Sequence, residues 1–365
     1  MGWAERLQRL RDDYAARDLD AFVVSTPANL TYLCGFVGTA GLLADVARRA
    51  RLIVDGRYWA AARRGSEEGR LAAVDVVPVT DRYDATLAAV LRELGPARVG
   101  YEADHVTVAT LRQWRGAAPG ATWVPTESLI ARRRMIKDAS EIAALRRAGK
   151  ALSEIARGLR LLVREGRTER EVARAIDEAI DRAGFSENAF PTIVASGPNS
   201  ALPHARPTDR RLRAGDLVVL DFGGRLDGYC GDLTRTAAIG QVGADARRLF
   251  DAVREAQAAA IAAVRAGILS SGVDAAARQV LETRGLAEAF LHATGHGLGL
   301  DVHEAPRLAR EDPDRATPLE AGMVCTIEPG AYVDGLGGVR LEDDVLVTAE
   351  GCEVLTDAPR DLLLV

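Results

Sequence analysis

The stretch DLVVLDFGGRLDGYCGDLTRTAAIG at 216–240 decides the fold of the C-terminal half. Apolar and β-branched residues on both sides of a polar centre predict a β-hairpin that turns near Leu226–Asp227. With the turn centred there, Asp221 and Asp232 lie directly opposite each other and point to the same face of the sheet. The hairpin is therefore expected to bring two carboxylates together.

Two facing aspartates require something that offsets their charge. Their Cβ atoms are expected roughly 5 Å apart. Bare carboxylates at about 5 Å repel by about 3 kcal/mol at an effective dielectric of about 20. A shared proton, an arginine or a cation would offset this repulsion. The alternative is that one aspartate of the pair faces solvent.

Three further residues extend the acidic pair to a metal-ligand set. Glu328 in VCTIEPGAYV and Glu342 in GVRLEDDVLV each interrupt an apolar strand pattern, and His296 lies in the glycine-rich phrase GHGLGLDVHEAP. A lone strand glutamate is usually an exposed residue, but two such strands beside the hairpin favour a site. Four carboxylates and one imidazole suit hard or borderline divalent ions, and the charges balance two of them. Two such ions can activate water and polarise a carbonyl, so this set favours a hydrolase.

The histidines are concentrated around the same phrases. His292 and His303 flank His296, and His204 lies in VASGPNSALPHARP, whose glycine, proline and serine content predicts a loop. An isolated loop histidine is usually a surface residue, but four of the five histidines fall in these phrases, which favours function. His105, in the N-terminal half, is interpreted as a surface residue.

The chain has two parts with different patterns. Residues 1–132 alternate helical and extended segments, which predicts an α/β domain. Residues 133–365 separate helix pairs from strand runs, which predicts an α+β domain. Its two similar halves, each a helix pair followed by strands, suggest an internal repeat.

Composition excludes several classes of function. The chain has 365 residues, of which 48% are apolar and 27% charged, and a net charge of −5. It carries no basic stripe for nucleic acid. It has neither an apolar run long enough to span a membrane nor a signal peptide. Four scattered cysteines show no zinc-finger spacing and are interpreted as small buried apolar residues of a cytoplasmic protein.

Taken as a set, these phrases resemble those of the creatinase, aminopeptidase P and prolidase group, the M24B metallopeptidase family. NLTYLCGFVGTAG (29–41) and DGRYWAAA (55–62) are similar to its N-terminal domain, and RMIKDASEIAALRRA is similar to its domain junction. The resemblance covers nearly the whole chain. It implies a creatinase-like α/β N-terminal domain, followed by an α+β catalytic domain of the pita-bread fold.

The resemblance also implies how the ligand set divides between two metal ions. Asp221 and Asp232 would bind the first ion, and Asp232 and Glu342 would bridge to the second. His296 and Glu328 would complete the second ion.

The same resemblance implies roles for the residues around the ions. Glu328 would also be the general base, and His204 would stabilise the tetrahedral intermediate. His303 would contact the scissile peptide, His292 would be a further active-site histidine, and Arg340 would belong to the substrate pocket. On this basis the Arg340→Ala substitution is expected to weaken substrate binding more than metal loading.

The activity implied by the resemblance is removal of the N-terminal residue from peptides that have proline in the second position. Manganese is the expected metal, with cobalt or zinc as substitutes, and a homodimer is the expected assembly. An Xaa-Pro aminopeptidase is preferred because of His292, and an Xaa-Pro dipeptidase is the alternative. A non-catalytic peptide-binding module of the same fold is the alternative from another class, but such relatives lose ligand residues that are all present here.

Overall fold

The structure is a computed structural model and describes residues 2–46, 49–95, 97–310, 312 and 316–365. The chain divides into two compact units, Met1–Arg134 and Met135–Val365. Among the described residues, no helix combines the length and apolar character needed to cross a bilayer.

The first unit is an α/β domain built on a six-stranded mixed sheet. Its strands are β1 (Ala21–Val24), β2 (Leu42–Val46), β3 (Arg49–Val54), β4 (Asp75–Pro78), β5 (Arg98–Glu102) and β6 (Thr122–Thr126). The strand order is β4-β3-β2-β1-β5-β6, in which β1, β2 and β3 run antiparallel and the outer strands pair in parallel. The helices are α1 (Trp3–Ala15), α2 (Pro27–Cys34), α3 (Gly56–Glu67), α4 (Tyr83–Leu94), α5 (Val108–Ala117) and α6 (Leu129–Met135). His105 is exposed here, as its sequence context predicted.

The second unit is the α+β domain. Its helices are α7 (Ala139–Leu162), α8 (Glu169–Arg182), α9 (Ala244–Ala263) and α10 (Ser270–Thr283). Its strands are β7 (Glu187–Asn188), β8 (Ile193–Ser196), β9 (Leu217–Leu226), β10 (Tyr229–Ala238), β11 (Gly295–Gly297), β12 (Glu304–Leu308), β13 (Val324–Ile327), β14 (Gly330–Val333), β15 (Gly337–Arg340), β16 (Asp343–Val347), β17 (Cys352–Val354) and β18 (Leu363–Leu364).

Each helix pair of this unit packs on its own set of strands. One apolar core joins α7 and α8 to β9 and β10, and a second joins α9 and α10 to β13, β15 and β16. The first sheet has the order β18-β10-β9-β7, with β8 also on β9, and the second has the order β12-β11-β13-β16-β17. Cys230 and Cys325 are buried in this unit, and neither is in a disulfide.

Local sequence signals set the helix ends. Asp138 caps α7, and its carboxylate accepts from the backbone of Ser140 and Glu141 in a capping box. Helix α10 ends at Thr283. Gly285 follows with a φ of +72°, a left-handed conformation that ends a helix.

The hairpin forms, but its register differs from the prediction. Asp227 and Gly228 both have positive φ and make the turn, so Leu226 pairs with Tyr229. Asp221 therefore lies opposite Thr234 rather than opposite Asp232. Residues 232 and 234 share a face, so both carboxylates still point the same way, but diagonally, at roughly 7–8 Å between Cα atoms. The diagonal arrangement leaves more room between the carboxylates than direct pairing would.

Candidate metal centre

The predicted site residues converge on one cavity of about 640 Å³ in the second unit. All nine line it: His204, Asp221, Asp232, His292, His296, His303, Glu328, Arg340 and Glu342. Asp221, Asp232 and His296 lie in strands of the two sheets, and Arg340 lies in β15. The others lie in segments between strands. Residues spread over 139 positions of the sequence thus line a single cavity.

The tightest ligand group within this cavity has three members. One ligand atom each from Asp232, His296 and Glu342 lies within 4.8 Å of the others, a geometry suited to one metal ion. Glu328 joins this group from the side, because its Oε1 lies 3.3 Å from Nε2 of His296. Asp221 lies further along the cavity, held by an arginine.

The sequence pattern placed both glutamates inside strands, but in the structure each lies just outside one. Glu328 follows the last residue of β13, and its backbone N–H donates to Thr294 O at 2.7 Å. Glu342 lies between β15 and β16, and its N–H donates to Thr234 O at 3.1 Å. Each glutamate therefore bonds to a neighbouring segment of the site, which sets its direction.

His296 presents one ring nitrogen to the cavity. Its Nδ1 lies 3.0 Å from Gly297 O, and because a carbonyl only accepts, Nδ1 carries the proton. Nε2 is then a lone-pair atom directed at the ligand group. Burial lowers the pKa of His296 to about 4, so the ring is neutral near pH 7 and ready to bind a cation. A Cβ on the preceding Gly295 would meet Thr326 O at 1.9 Å, so only glycine allows this close approach.

The carboxylates of the cavity have too few positively charged neighbours to balance their own charge. Burial, together with the neighbouring acids, raises the pKa of Asp232 and of Glu342 well above the ordinary range. The pKa of Glu328 rises to about 8, mainly through burial and against the lowering effect of Arg340. Among the described residues, Oδ1 of Asp221 and Oδ1 of Asp232 are buried without a hydrogen-bond donor. Orphaned buried carboxylate oxygens beside a neutral imidazole are the donor set that a divalent ion fits.

Arg340 lines the cavity and is also bonded to its neighbours. Its side chain is buried, and Nη2 donates to Asp221 Oδ2 at 2.5 Å while Nη1 donates to the Tyr332 hydroxyl at 2.7 Å. The assignment of Arg340 to the substrate pocket stays a prediction. The geometry of Arg340 favours holding Asp221, so the Arg340→Ala substitution is now expected to weaken metal loading as well.

His292 belongs to the same hydrogen-bonded chain. Its Nδ1 donates to Ala293 O at 2.8 Å, and its Nε2 accepts from the Tyr332 hydroxyl at 2.8 Å. Burial lowers the pKa of His292 to about 4, in keeping with this neutral form. Both ring nitrogens are thus satisfied within the protein, which favours a supporting role over direct substrate binding.

The other two histidines are open to solvent. His204 is exposed on the loop after β8, and His303 is exposed just before β12. The ring of His303 lies edge-on to that of His296, with 4.4 Å between their centroids. Both can therefore reach a molecule bound in the cavity.

Two polar residues that contact the site, Thr234 and Asp344, were not predicted from the sequence. Thr234 Oγ1 donates to Glu342 Oε2 at 2.6 Å. Asp344 is buried, and its Oδ2 accepts from the backbone N–H of Asp232 at 3.1 Å. The alternation of a strand could have found the second one, because residues 342 and 344 share a face.

We expect the Thr234→Val substitution to weaken divalent-ion affinity about tenfold, because removal of an outer-shell hydrogen bond to a ligand typically costs 10–100-fold. Titration calorimetry with Mn²⁺ measures this. Thr236→Val is the matched control, since Thr236 lies two residues along the same strand face and donates to Arg340 O instead of a carboxylate. An equal loss of affinity in both variants would show that the Thr234 contact has no special role.

Fold and site together define a metal-dependent hydrolase with the pita-bread fold. Comparison with protein families gives a match to "Metallopeptidase family M24" at residues 143–349 and to "Creatinase/Prolidase N-terminal domain" at residues 6–136. The chain belongs to metallopeptidase family M24, and its class of enzyme is metallo-exopeptidase.

Individual relatives extend over the whole chain. The Xaa-Pro dipeptidase of Pyrococcus furiosus is 32% identical over 98% of this chain and 99% of its own length. The solved structure of an Xaa-Pro dipeptidase from Bacillus anthracis has a TM-score of 0.94 and 34% identity, and covers 100% of both chains. An X-Pro aminopeptidase from Thermotoga maritima has a TM-score of 0.86 and 30% identity, over 97% of this chain and 100% of its own. The similarity therefore includes both activities that the sequence left open.

Proposed function

We propose that the protein is an Xaa-Pro dipeptidase, the alternative that the sequence reading ranked second. The high structural similarity to a dipeptidase that covers the whole of both chains supports this choice. The preference for an aminopeptidase rested on His292, and its two ring nitrogens are engaged by Ala293 and Tyr332. His292 therefore gives no reason to prefer a longer peptide.

The charge distribution of the cavity carries the proposal. The cavity is lined by carboxylates and also by two exposed arginines, Arg206 and Arg307. Within the described part of the chain, neither arginine has an ion-pair partner, whereas Arg340 is paired with Asp221. A dipeptide has an ammonium at one end and a carboxylate at the other, so the cavity offers groups of opposite charge to each. In a longer peptide the carboxylate lies at least one residue further from the ammonium.

The metal centre is part of the same proposal. Asp232, His296 and Glu342 would hold one divalent ion, with Glu328 beside them, and Asp221 with Asp232 would hold a second. Bound there, the ions would supply an activated water and a polarised carbonyl. Manganese is the metal we propose, because the set is rich in carboxylate oxygen. The homodimer and the cytoplasmic location stay predictions.

The residues of the chain supply the proton transfers and the positioning. Glu328 would take the proton of the attacking water, because its carboxylate lies beside the ligand group, with Oε1 3.3 Å from Nε2 of His296. It could then give that proton to the departing prolyl nitrogen. His204 and His303, both exposed into the cavity, would donate hydrogen bonds to the substrate carbonyl.

We expect kcat/KM for an Xaa-Pro dipeptide to exceed that for the same dipeptide amide, or for an Xaa-Pro-Xaa tripeptide, by about tenfold or more. A charge-assisted hydrogen bond contributes about 1.5–3 kcal/mol, and both poorer substrates lack the carboxylate at that position. Amino-acid release, followed by chromatography, measures the three rates.

The variant Arg206→Met together with Arg307→Met should lose most of this discrimination while it still cleaves the amide. Arg310→Met, an exposed arginine outside the cavity lining, is the control. Faster cleavage of the tripeptide by the unmodified protein would instead identify an aminopeptidase. No release from any of the three, with metal present, would favour a binding module.

A further inference from the structure

A single buried carboxylate bonds to both ends of the loop that carries His204. The middle of the loop bonds to β15, where Gly338 N–H donates to Ser200 Oγ at 2.9 Å. Residues 196–208 leave β8, pass through a short 3-10 turn at Gly197–Ala201, and reach the cavity with His204 and Arg206. Both of these side chains are exposed, so they contribute little packing to hold the loop in place. The position of the loop must therefore be set elsewhere.

Glu169, the first residue of α8, gathers five donors from this loop. Oε1 accepts from the N–H of Ser196 at 2.7 Å and from its hydroxyl at 2.7 Å. Oε2 accepts from the N–H of Thr208 at 2.9 Å and from its hydroxyl at 2.6 Å. The amide of Asn199 donates to both oxygens, at 3.0 and 3.1 Å. Both ends of the loop are thus bonded to one side chain.

This carboxylate is fully buried, and no cation among the residues that the structure describes pairs with it directly. Its exposed fraction is 0%, and the nearby guanidinium of Arg210 is paired with Asp216. Burial alone would raise the pKa of Glu169, but the hydrogen bonds from Thr208 and Ser196 outweigh it and lower the pKa. The negative charge is therefore satisfied by the loop itself, and a displaced loop would leave it unsatisfied.

We propose that Glu169 is a positioning residue that fixes loop 196–208 and thereby places His204 over the substrate. This inference rests on the proposed function for the role of His204. The stabilisation of the loop by Glu169 can be measured whether or not that function is correct.

The second half of the domain uses the same arrangement independently. Asp274, in the first turns of α10, is buried and accepts from the N–H of Thr294 at 3.1 Å and from its hydroxyl at 2.9 Å. Its other oxygen pairs with Arg278, which donates to His292 O at 2.7 Å. In each half, the second helix of the pair thus carries one buried carboxylate that fixes a segment bearing a cavity histidine. Asp274 differs in having a cation partner, so Glu169 depends more completely on its loop.

The Glu169→Gln substitution tests directly whether the hydrogen bonds to Glu169 stabilise loop 196–208. An amide of the same size turns one acceptor into a donor that faces N–H and O–H groups. We expect amide exchange over residues 196–208 to rise about tenfold or more, since a hydrogen bond to a charged group contributes about 1.5–3 kcal/mol. We expect kcat for an Xaa-Pro dipeptide to fall about tenfold while Mn²⁺ affinity stays within about twofold, as for a distant independent site. Glu169→Asp, which keeps the charge, should recover part of the loss.

A double-mutant cycle separates positioning from general destabilisation. In a His204→Ala background, Glu169→Gln should add less than about twofold to the loss of kcat, because its route to the substrate is already gone. Asp274→Asn acts on the second half of the domain. It should change kcat by the same factor in the His204→Ala background as in the unmodified protein. The exposed pair Arg170–Asp209 also joins α8 to this part of the chain, so Arg170→Ala is the control that should change neither readout.

Two results would overturn the proposal: unchanged exchange over residues 196–208 in Glu169→Gln, or an undiminished effect of Glu169→Gln in the His204→Ala background. If Glu169→Gln does not fold, Thr208→Val removes one donor to the same carboxylate and is held to the same two criteria. Failure of the unmodified enzyme to cleave any Xaa-Pro dipeptide would count against the proposed function alone, since the exchange measurement still decides whether Glu169 holds the loop.

Discussion

The Glu328→Gln substitution is expected to lower kcat about 10³-fold, within the range that a positioned general base contributes. A glutamine amide has nearly the same shape but accepts no proton near neutral pH. Glu328 lies beside the ligand group, with Oε1 3.3 Å from Nε2 of His296, where it would face the attacking water. Release of proline from an Xaa-Pro dipeptide at saturating Mn²⁺ measures the loss.

Metal content must be measured beside the rate, because the proposal also assigns Glu328 a place among the ligands. Titration calorimetry at matched pH separates weaker metal binding from lost proton transfer. Glu320→Gln is the control, since Glu320 is an exposed glutamate eight positions earlier and lies outside the cavity. Full turnover by the metal-loaded Glu328→Gln variant would refute the assigned proton transfer.

The sequence could predict which residues form the site better than it could predict their geometry. The phrases around Asp221 and Asp232 predicted a hairpin with two carboxylates on one face, and the hairpin forms. The register was wrong because the turn lies at Asp227–Gly228, where two consecutive residues adopt positive φ. A shift of the turn by one residue changes the cross-strand partner by two, and a count from an assumed turn centre cannot detect it.

Contacts between segments far apart in the chain were beyond prediction. Tyr332 lies in an ordinary apolar strand pattern, yet its hydroxyl joins Arg340 to His292. Thr234 reaches Glu342 across 108 positions of sequence. Hydropathy patterns indicate which face of a strand is buried, but not which segment packs on that face. The donors and acceptors that orient a ligand therefore emerge only when both sheets are assembled.

Removal of divalent ions is expected to abolish turnover and to leave a protein whose stability falls as the pH rises from 6.5 to 8. Burial raises the pKa of Glu328 to about 8 in the folded chain, against an ordinary value of 4.5. Over this interval the folded state holds a proton that the unfolded chain has released, so the free energy of unfolding decreases with pH. One retained proton is worth about 1.4 kcal/mol per pH unit, or about 2 kcal/mol over the interval. For a domain of this size that lowers Tm by roughly 4–8 °C.

The choice of interval isolates the carboxylates from the histidines. His292 and His296 have pKa values lowered to about 4 from 6.5, so their contribution has the opposite sign and is confined to pH below about 6.5. Asp232 and Glu342, with pKa values raised in the same direction as Glu328, steepen the fall. Thermal melts with chelator between pH 6.5 and 8 measure the slope, and the metal-free Glu328→Gln variant should show a shallower one.

Saturating Mn²⁺ should remove most of this pH dependence. An ion binds the deprotonated carboxylates, so its affinity increases with pH, and tighter binding raises Tm by mass action. The loaded and metal-free proteins should thus differ in Tm by an amount that grows from pH 6.5 to 8. A metal-free protein whose Tm is flat or rises over this interval would mean that the buried acids already have a counter-charge without metal. The orphaned Oδ1 atoms of Asp221 and Asp232 argue against that outcome, because the pairing of Arg340 with Asp221 reaches only Oδ2.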